Sequence, residues 1–224
     1  MNLSSLILIG VLAAIWVLIK IAPKLFVRQV ARVALNKVGE KALANVPEQI
    51  ILSRVASPQW KDKNAVQVQA NPLVVAGFND LGVYSIDKMP GVLVRILFQP
   101  QAYVASHIFE HPKAGSWIEF ATRYTDGGSD FLTTLPDQGI QSPSFVRTSR
   151  ASKSTPTDAL YQQHLAQRKN SGIRPVSQND VIHEFEDAYM RYMVWKNNKG
   201  LTPAEVAKVT LQWAKAKGAT AGRN

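Results

Sequence analysis

The sequence predicts an α+β protein: an N-terminal transmembrane helix and amphipathic stalk, then an antiparallel β-meander of four to five strands packed by C-terminal helices. Three observations predict it. A long apolar run opens the chain, β-rich runs separated by Pro or Gly turns fill its middle, and three hydroxyl-led helix starts mark its last third.

The stretch from Leu3 to Ala22, LSSLILIGVLAAIWVLIKIA, carries a single charge, Lys20. At 1.5 Å per residue it reaches about 30 Å, the thickness of a hydrocarbon core. A cleaved signal peptide is the competing explanation. Against it, MNLSS carries no basic residue, and Ala22 is followed by Pro23, which disfavours cleavage. Residues 1–22 are therefore expected to be a retained single-span anchor.

Lys20, Lys24, Arg28, Arg32, Lys37 and Lys41 all lie at or beyond the far end of this run, and no side chain before it is charged. The positive-inside rule then puts the globular part in the cytoplasm, with the span in a bacterial inner membrane. Residues 23–47 keep apolar positions near helical spacing and read as a basic juxtamembrane helix ending near Pro47. Lys24, Arg28 and Arg32 recur every fourth residue, so with Lys20 they are the expected lipid-headgroup contacts.

Residues 48–218 are expected to form the α+β globular domain, and 219–224 a flexible tail. IILSRV reads as a short strand, SPQWKDKN as a connection, and Pro72 as the first turn of a short helix leading to a strand at Gly82. Gly82–Ile86, Val92–Phe98, Ala102–His111, Trp117–Tyr124 and Asp130–Leu135 are β-rich runs separated by DKMPG, QPQ, PKAG and DGG. Connections this short permit only antiparallel neighbours. The helices begin at Thr155-Pro-Thr-Asp158, Ser177-Gln-Asn-Asp180 and Thr202-Pro-Ala-Glu205, each a hydroxyl cap with an acid three residues on. In the second, Val181, Phe185, Ala188, Tyr192 and Trp195 form an apolar stripe that needs the sheet as its partner.

Composition narrows the function. The 26 Lys and Arg against 16 Asp and Glu give +10, which favours acidic neighbours, and the absence of Cys removes disulfides, zinc ribbons and Cys nucleophiles. His107-Ile-Phe-Glu110-His111 spells the inverted zincin motif, H-x-x-E-H, but on a strand Glu110 points away from the two histidines. No phosphate-binding loop, dinucleotide fingerprint or nucleophile elbow is present. His183 with Glu184, Glu186 and Asp187 reads as a solvated helix face.

The acid-free stretch QSPSFVRTSRASKSTPT, 141–157, reads as a loop, and its Arg147, Arg150 and Lys153 are the candidate partner-docking residues. No catalytic residue, cofactor, metal or nucleic-acid partner is expected. These features point to a noncatalytic interaction module at the lipid bilayer, an accessory subunit of a membrane protein complex. The alternative is a binding protein or enzyme holding a lipid or other apolar ligand in a cup between the sheet and the Val181–Trp195 helix. A space of roughly 300 Å³ or more beneath that helix separates the two.

Overall fold

The computed structural model describes residues 46–112, 114–137 and 139–208, so the anchor and the basic stripe from Lys20 to Arg32 lie outside the described residues. Among the described residues no helix is long and apolar enough to cross a membrane. The chain divides into two units: Pro47–Lys199, and a second made of Met1–Val46 with Gly200–Asn224. In the second, the Thr202 to Glu205 capping box forms as its sequence predicts. Glu205 donates its amide to Thr202 Oγ1 at 3.2 Å, and its carboxylate accepts the Thr202 amide at 2.8 Å.

The unit Pro47–Lys199 is α+β, built on one seven-stranded sheet whose spatial order is its sequence order. The strands are β1 (Leu52–Arg54), β2 (Asn79–Ile86), β3 (Leu93–Gln99), β4 (Val104–His111), β5 (Gly115–Arg123), β6 (Ser129–Thr133) and β7 (Val146–Arg150). Every neighbouring pair from β1 to β6 is antiparallel. The separators work as their residues dictate. In the β2–β3 turn Gly91 takes φ 79°, where a Cβ would meet Pro112 Cγ at 2.8 Å, so only glycine fits. Asp126 closes the β5–β6 turn by accepting the Gly128 amide at 2.8 Å.

The sheet exceeds the expected four to five strands in two places. The short strand read in IILSRV pairs with β2 as β1. At the other edge, β7 runs parallel to β6, with Ser129 opposite Val146 and Thr133 opposite Arg150. Part of the stretch read as a loop, 141–157, is therefore strand, and the last pairing is not antiparallel. Its connection, 134–145, is long enough to carry the chain back to the same end, as a parallel neighbour requires.

Three helices cover the sheet: α1 (Lys63–Val75), α2 (Thr157–Gln167) and α3 (Val181–Lys199). The first corrects the helix expected to start at Pro72, because Pro72 lies inside α1. Asp62 caps it, accepting the Ala65 amide at 2.9 Å, and Glu110 fixes the entering chain by accepting the Lys61 and Asp62 amides at 2.7 and 3.0 Å. Pro72 is tolerated near the C-terminal end; having no N–H, it leaves the Val68 carbonyl without its helical donor.

The faces are covered differently. Val66, Ala70 and Leu73 of α1 and Leu160 and Tyr161 of α2 pack on Leu97, Val104, Ile108, Ile118, Phe120 and Leu132. Phe78 joins this core with its ring 4.9 Å from Tyr161 and 6.3 Å from Phe120, both edge-on. On the opposite face Val181, Ile182, Phe185 and Tyr189 of α3 pack on a cluster with Val94, Ile96, Phe98 and Phe109. The predicted stripe thus meets the sheet through its first half only, and Phe185 and Trp195 are half-buried. Tyr192 and Trp195 lie beside each other, rings 6.0 Å apart. Gly200 ends α3 at φ 71°, the left-handed cap its position predicts.

Candidate functional site

The space beneath α3 decides whether a cup exists there. Phe98, Ala105, His107, Ala121 and Arg123 of the sheet and Val181, Glu184 and Phe185 of the helix enclose about 20 Å³, room for one water. His107 is 2% exposed, with its ring 4.8 Å from that of Phe185, and its Nδ1 has no hydrogen-bond partner. Burial, and then Arg123, push its pKa down to about 3, so the ring is neutral across physiological pH. Opposite it on β5, burial raises the Glu119 carboxyl, while its Oε1 accepts from Trp117 Nε1 at 3.0 Å and Thr133 Oγ1 at 3.1 Å. Burial, and then Arg191, lower Arg123 to about 10; it donates to Ser129 Oγ at 2.6 Å. Arg174 pairs with Glu184 at the edge of the helix. Acid, base and cation stand close together here, with His107 buried and Glu119 and Arg123 half-buried.

The H-x-x-E-H motif is divided by the sheet. His107 lies under α3, Glu110 faces α1 and binds the two amides that start it, and His111 Nδ1 accepts from the Ala114 amide at 3.0 Å. The strand reading holds, and the three side chains do not converge. Among the described residues no group of three or more His, Asp or Glu is placed to hold a metal.

The predicted docking residues separate. Arg147 is committed to Asp130 through Nε at 2.9 Å and through Nη2, and it also donates to the Gln167 carbonyl at 2.6 Å. Burial alone would raise Asp130, but the bonds from Arg147 and Tyr124 outweigh it and hold the carboxylate below its usual range. Arg150 reaches Asp137 at 3.2 Å. Lys153 is exposed, and it alone of the three lines a cleft.

That cleft, about 360 Å³, opens between α1 and the chain entering α2. One wall is Ala65, Val68, Gln69 and Pro72 of α1, the floor includes Ile118 and Thr134, and the other wall is Lys153 to Asp158. No family model, curated protein or solved structure matches this chain. Its chemistry is therefore read from these residues alone. The α1 wall is apolar and exposed: Val68 is 62% and Val75 89% exposed, with Val74 beside them at 49%. Ala65, Val68, Pro72 and Val75 recur at three- and four-residue steps and form one helical stripe facing away from the core.

The polar wall is made by a helix start that lacks its cap. The Thr155 to Asp158 box does not form; Pro156 precedes the first turn and contributes no side-chain bond. Leu160 donates to the Pro156 carbonyl at 2.9 Å, and the amides of Thr157, Asp158 and Ala159 have no acceptor among the described residues. Lys153, one of the three residues expected to dock a partner, stands on this wall. The facing stripe was legible as a spacing in KNAVQVQANPLVV, hidden by Pro72.

Proposed function

We propose that the chain is a membrane-anchored, noncatalytic interaction module, an accessory subunit of a membrane protein complex, and that its partner is received on the α1 side of the sheet. One observation carries this reading: the sizeable cleft and the exposed apolar stripe lie together on α1, whereas only about 20 Å³ is open beneath α3. A solvent-facing row of Val68, Pro72 and Val75 gains when another surface covers it. The basic flank from Lys20 to Arg32 supports membrane attachment, with the globular part cytoplasmic. The 20 Å³ beneath α3 gives the lipid-cup alternative no support.

The test is copurification. Full-length tagged protein extracted in mild detergent is expected to bring down a defined membrane-protein partner, and Val68→Asp is expected to lose it. A chain that purifies alone, or a partner retained equally by Val68→Asp, refutes the α1 docking.

A further inference from the structure

The two edges of the sheet are finished differently. β1 is three residues long, and its outward Leu52 amide is taken by Glu186 of α3 at 2.7 Å. Beyond β7 no strand lies among the described residues. Which backbone groups of β7 face outward follows from its bonds to β6. Ser129 donates to the Phe145 carbonyl at 2.9 Å and Ala151 to the Thr133 carbonyl at 3.0 Å, so alternate residues from Phe145 to Ala151 bond β6, and Val146, Thr148 and Arg150 turn their backbone groups away from it. Val146 donates its amide to the Pro143 carbonyl at 2.9 Å, whereas the amides of Thr148 and Arg150 have no acceptor among the described residues. The devices that commonly guard an edge are missing here or already committed. The register with β6 runs without a bulge from Val146 to Arg150, VRTSR holds neither Pro nor Lys, and its arginines are paired within the chain, Arg147 with Asp130 and Arg150 with Asp137.

We propose that β7 pairs antiparallel with β7 of a second copy of this chain, Thr148 opposite Thr148, joining the two sheets across a two-fold axis. The outward groups select this register. Centred on Thr148, the Thr148 amide of each copy donates to the Thr148 carbonyl of the other, and the Arg150 amide to the Val146 carbonyl, so the one outward amide already used, that of Val146, falls at the end of the pairing. A centre at Arg147 sets that arginine against itself, and one at Ser149 leaves the Val146 carbonyl beyond the end of the facing strand. With Thr148 at the centre, Arg150 lies opposite Val146 and Arg147 opposite Ser149, so no like charges face each other, and Thr against Thr is a favourable cross-strand pair. The same surface serves both copies, as a two-fold interface requires. This goes beyond the interaction-module reading and does not use the α1 cleft.

The chain has no cysteine, so a single introduced thiol reports the contact directly. Full-length Thr148→Cys in mild detergent is expected to oxidise to a covalent dimer, because residues exchanging bonds across such a pair have Cα atoms about 5.5 Å apart, within the range of a disulfide. Val146→Cys or Arg150→Cys alone is expected to give at least tenfold less, since each residue then lies about 14 Å from its own copy at 3.4 Å per residue. Coexpressed, those two variants are expected to link to each other. Sedimentation in detergent is expected to show a dimer for wild type and a monomer for Thr148→Lys, which sets like charges face to face. Thr148→Pro is expected to be monomeric as well, because it removes the outward amide and leaves the bonds to β6 in place. Circular dichroism verifies that both variants are folded. A monomeric wild type, a dimer that survives both substitutions, or cross-linking as strong at Val146 or Arg150 as at Thr148 overturns the proposal. A single copy that instead retains a foreign protein, lost in Thr148→Pro, overturns it too and gives the edge to that protein.

Discussion

The two faces of the sheet solve opposite problems. Beneath α3, the face holds His107, Glu119 and Arg123 among aromatic rings and leaves about 20 Å³. Beneath α1 and α2, the face is largely aliphatic and aromatic, yet about 360 Å³ stays open at its margin. His107 is closed off beneath α3 while Glu119 and Arg123 beside it are half-buried, and the larger accessible space is lined by Val68, two prolines, several hydroxyls, Lys153 and Asp158. Burial is the first cause of each perturbed titration here.

The largest test of the contrast lies in the cores. Phe120 is 1% exposed and touches Phe78, Tyr161 and His164, so Phe120→Ala is expected to cost about 3 to 5 kcal/mol. Phe185→Ala, at a half-buried ring, is expected to cost less than that. Urea midpoints measure both; equal losses would mean that α3 is as deeply packed as α1 and α2.

Acid comes next. His107 is pushed down to about 3 and His164, by burial and then Arg168, to about 4, so the unfolded chain binds a proton at each site before the folded one does. Stability is then complete above about pH 6.5 and falls as pH drops below it, by about 1.4 kcal/mol per pH unit for each histidine. His107→Leu removes an unpaired buried nitrogen as well as one titrating group. It is expected to be neutral or stabilising by up to about 1 kcal/mol at pH 7, and to halve the slope between pH 6 and 4. A wild-type stability that is flat over that range would show that protons reach both rings in the folded state.

The smallest effect is on the outer stripe. Val75→Ser, at 89% exposure, is expected to change stability by less than about 0.5 kcal/mol while weakening partner copurification. A larger loss of stability would mean that the stripe is covered within the chain itself.

Strands β3 to β6 were legible because Val94, Ile96 and Phe98 alternate against Leu93, Arg95 and Leu97, with Pro or Gly between the runs. At the start of β2 the signal failed: a register shift between Asp80 and Gly82 breaks the alternation, so the strand reads from Gly82 although it begins at Asn79. VRTSR of β7 has only Val146 as an apolar residue because it is an edge strand, half-exposed on both faces, and a parallel pairing leaves no turn signal beside it. Pro72 masked α1, since a proline more often opens a helix than sits within one. The cleft was invisible for a different reason: it brings residues 65–72 against 153–158, with Ile118 and Thr134 beneath, and no local pattern encodes that meeting.

Because sheet order equals chain order, each strand from β2 to β6 can pair with its predecessor as soon as it is synthesised, which keeps loop closure short and folding local. The first strand is the exception. Leu52 donates its amide to Glu186 at 2.7 Å, the Pro47 carbonyl accepts from Tyr189 at 2.9 Å, and Glu48 accepts from Asn197 at 2.9 Å, all on α3. These bonds join the two ends of the unit, so the first segment of the unit to be synthesised is among the last to be secured. Until α3 is made, Ile50 and Leu52 lack their cover, and a chaperone that shields that edge during translation would act at the step where this chain is most prone to stick to another copy of itself.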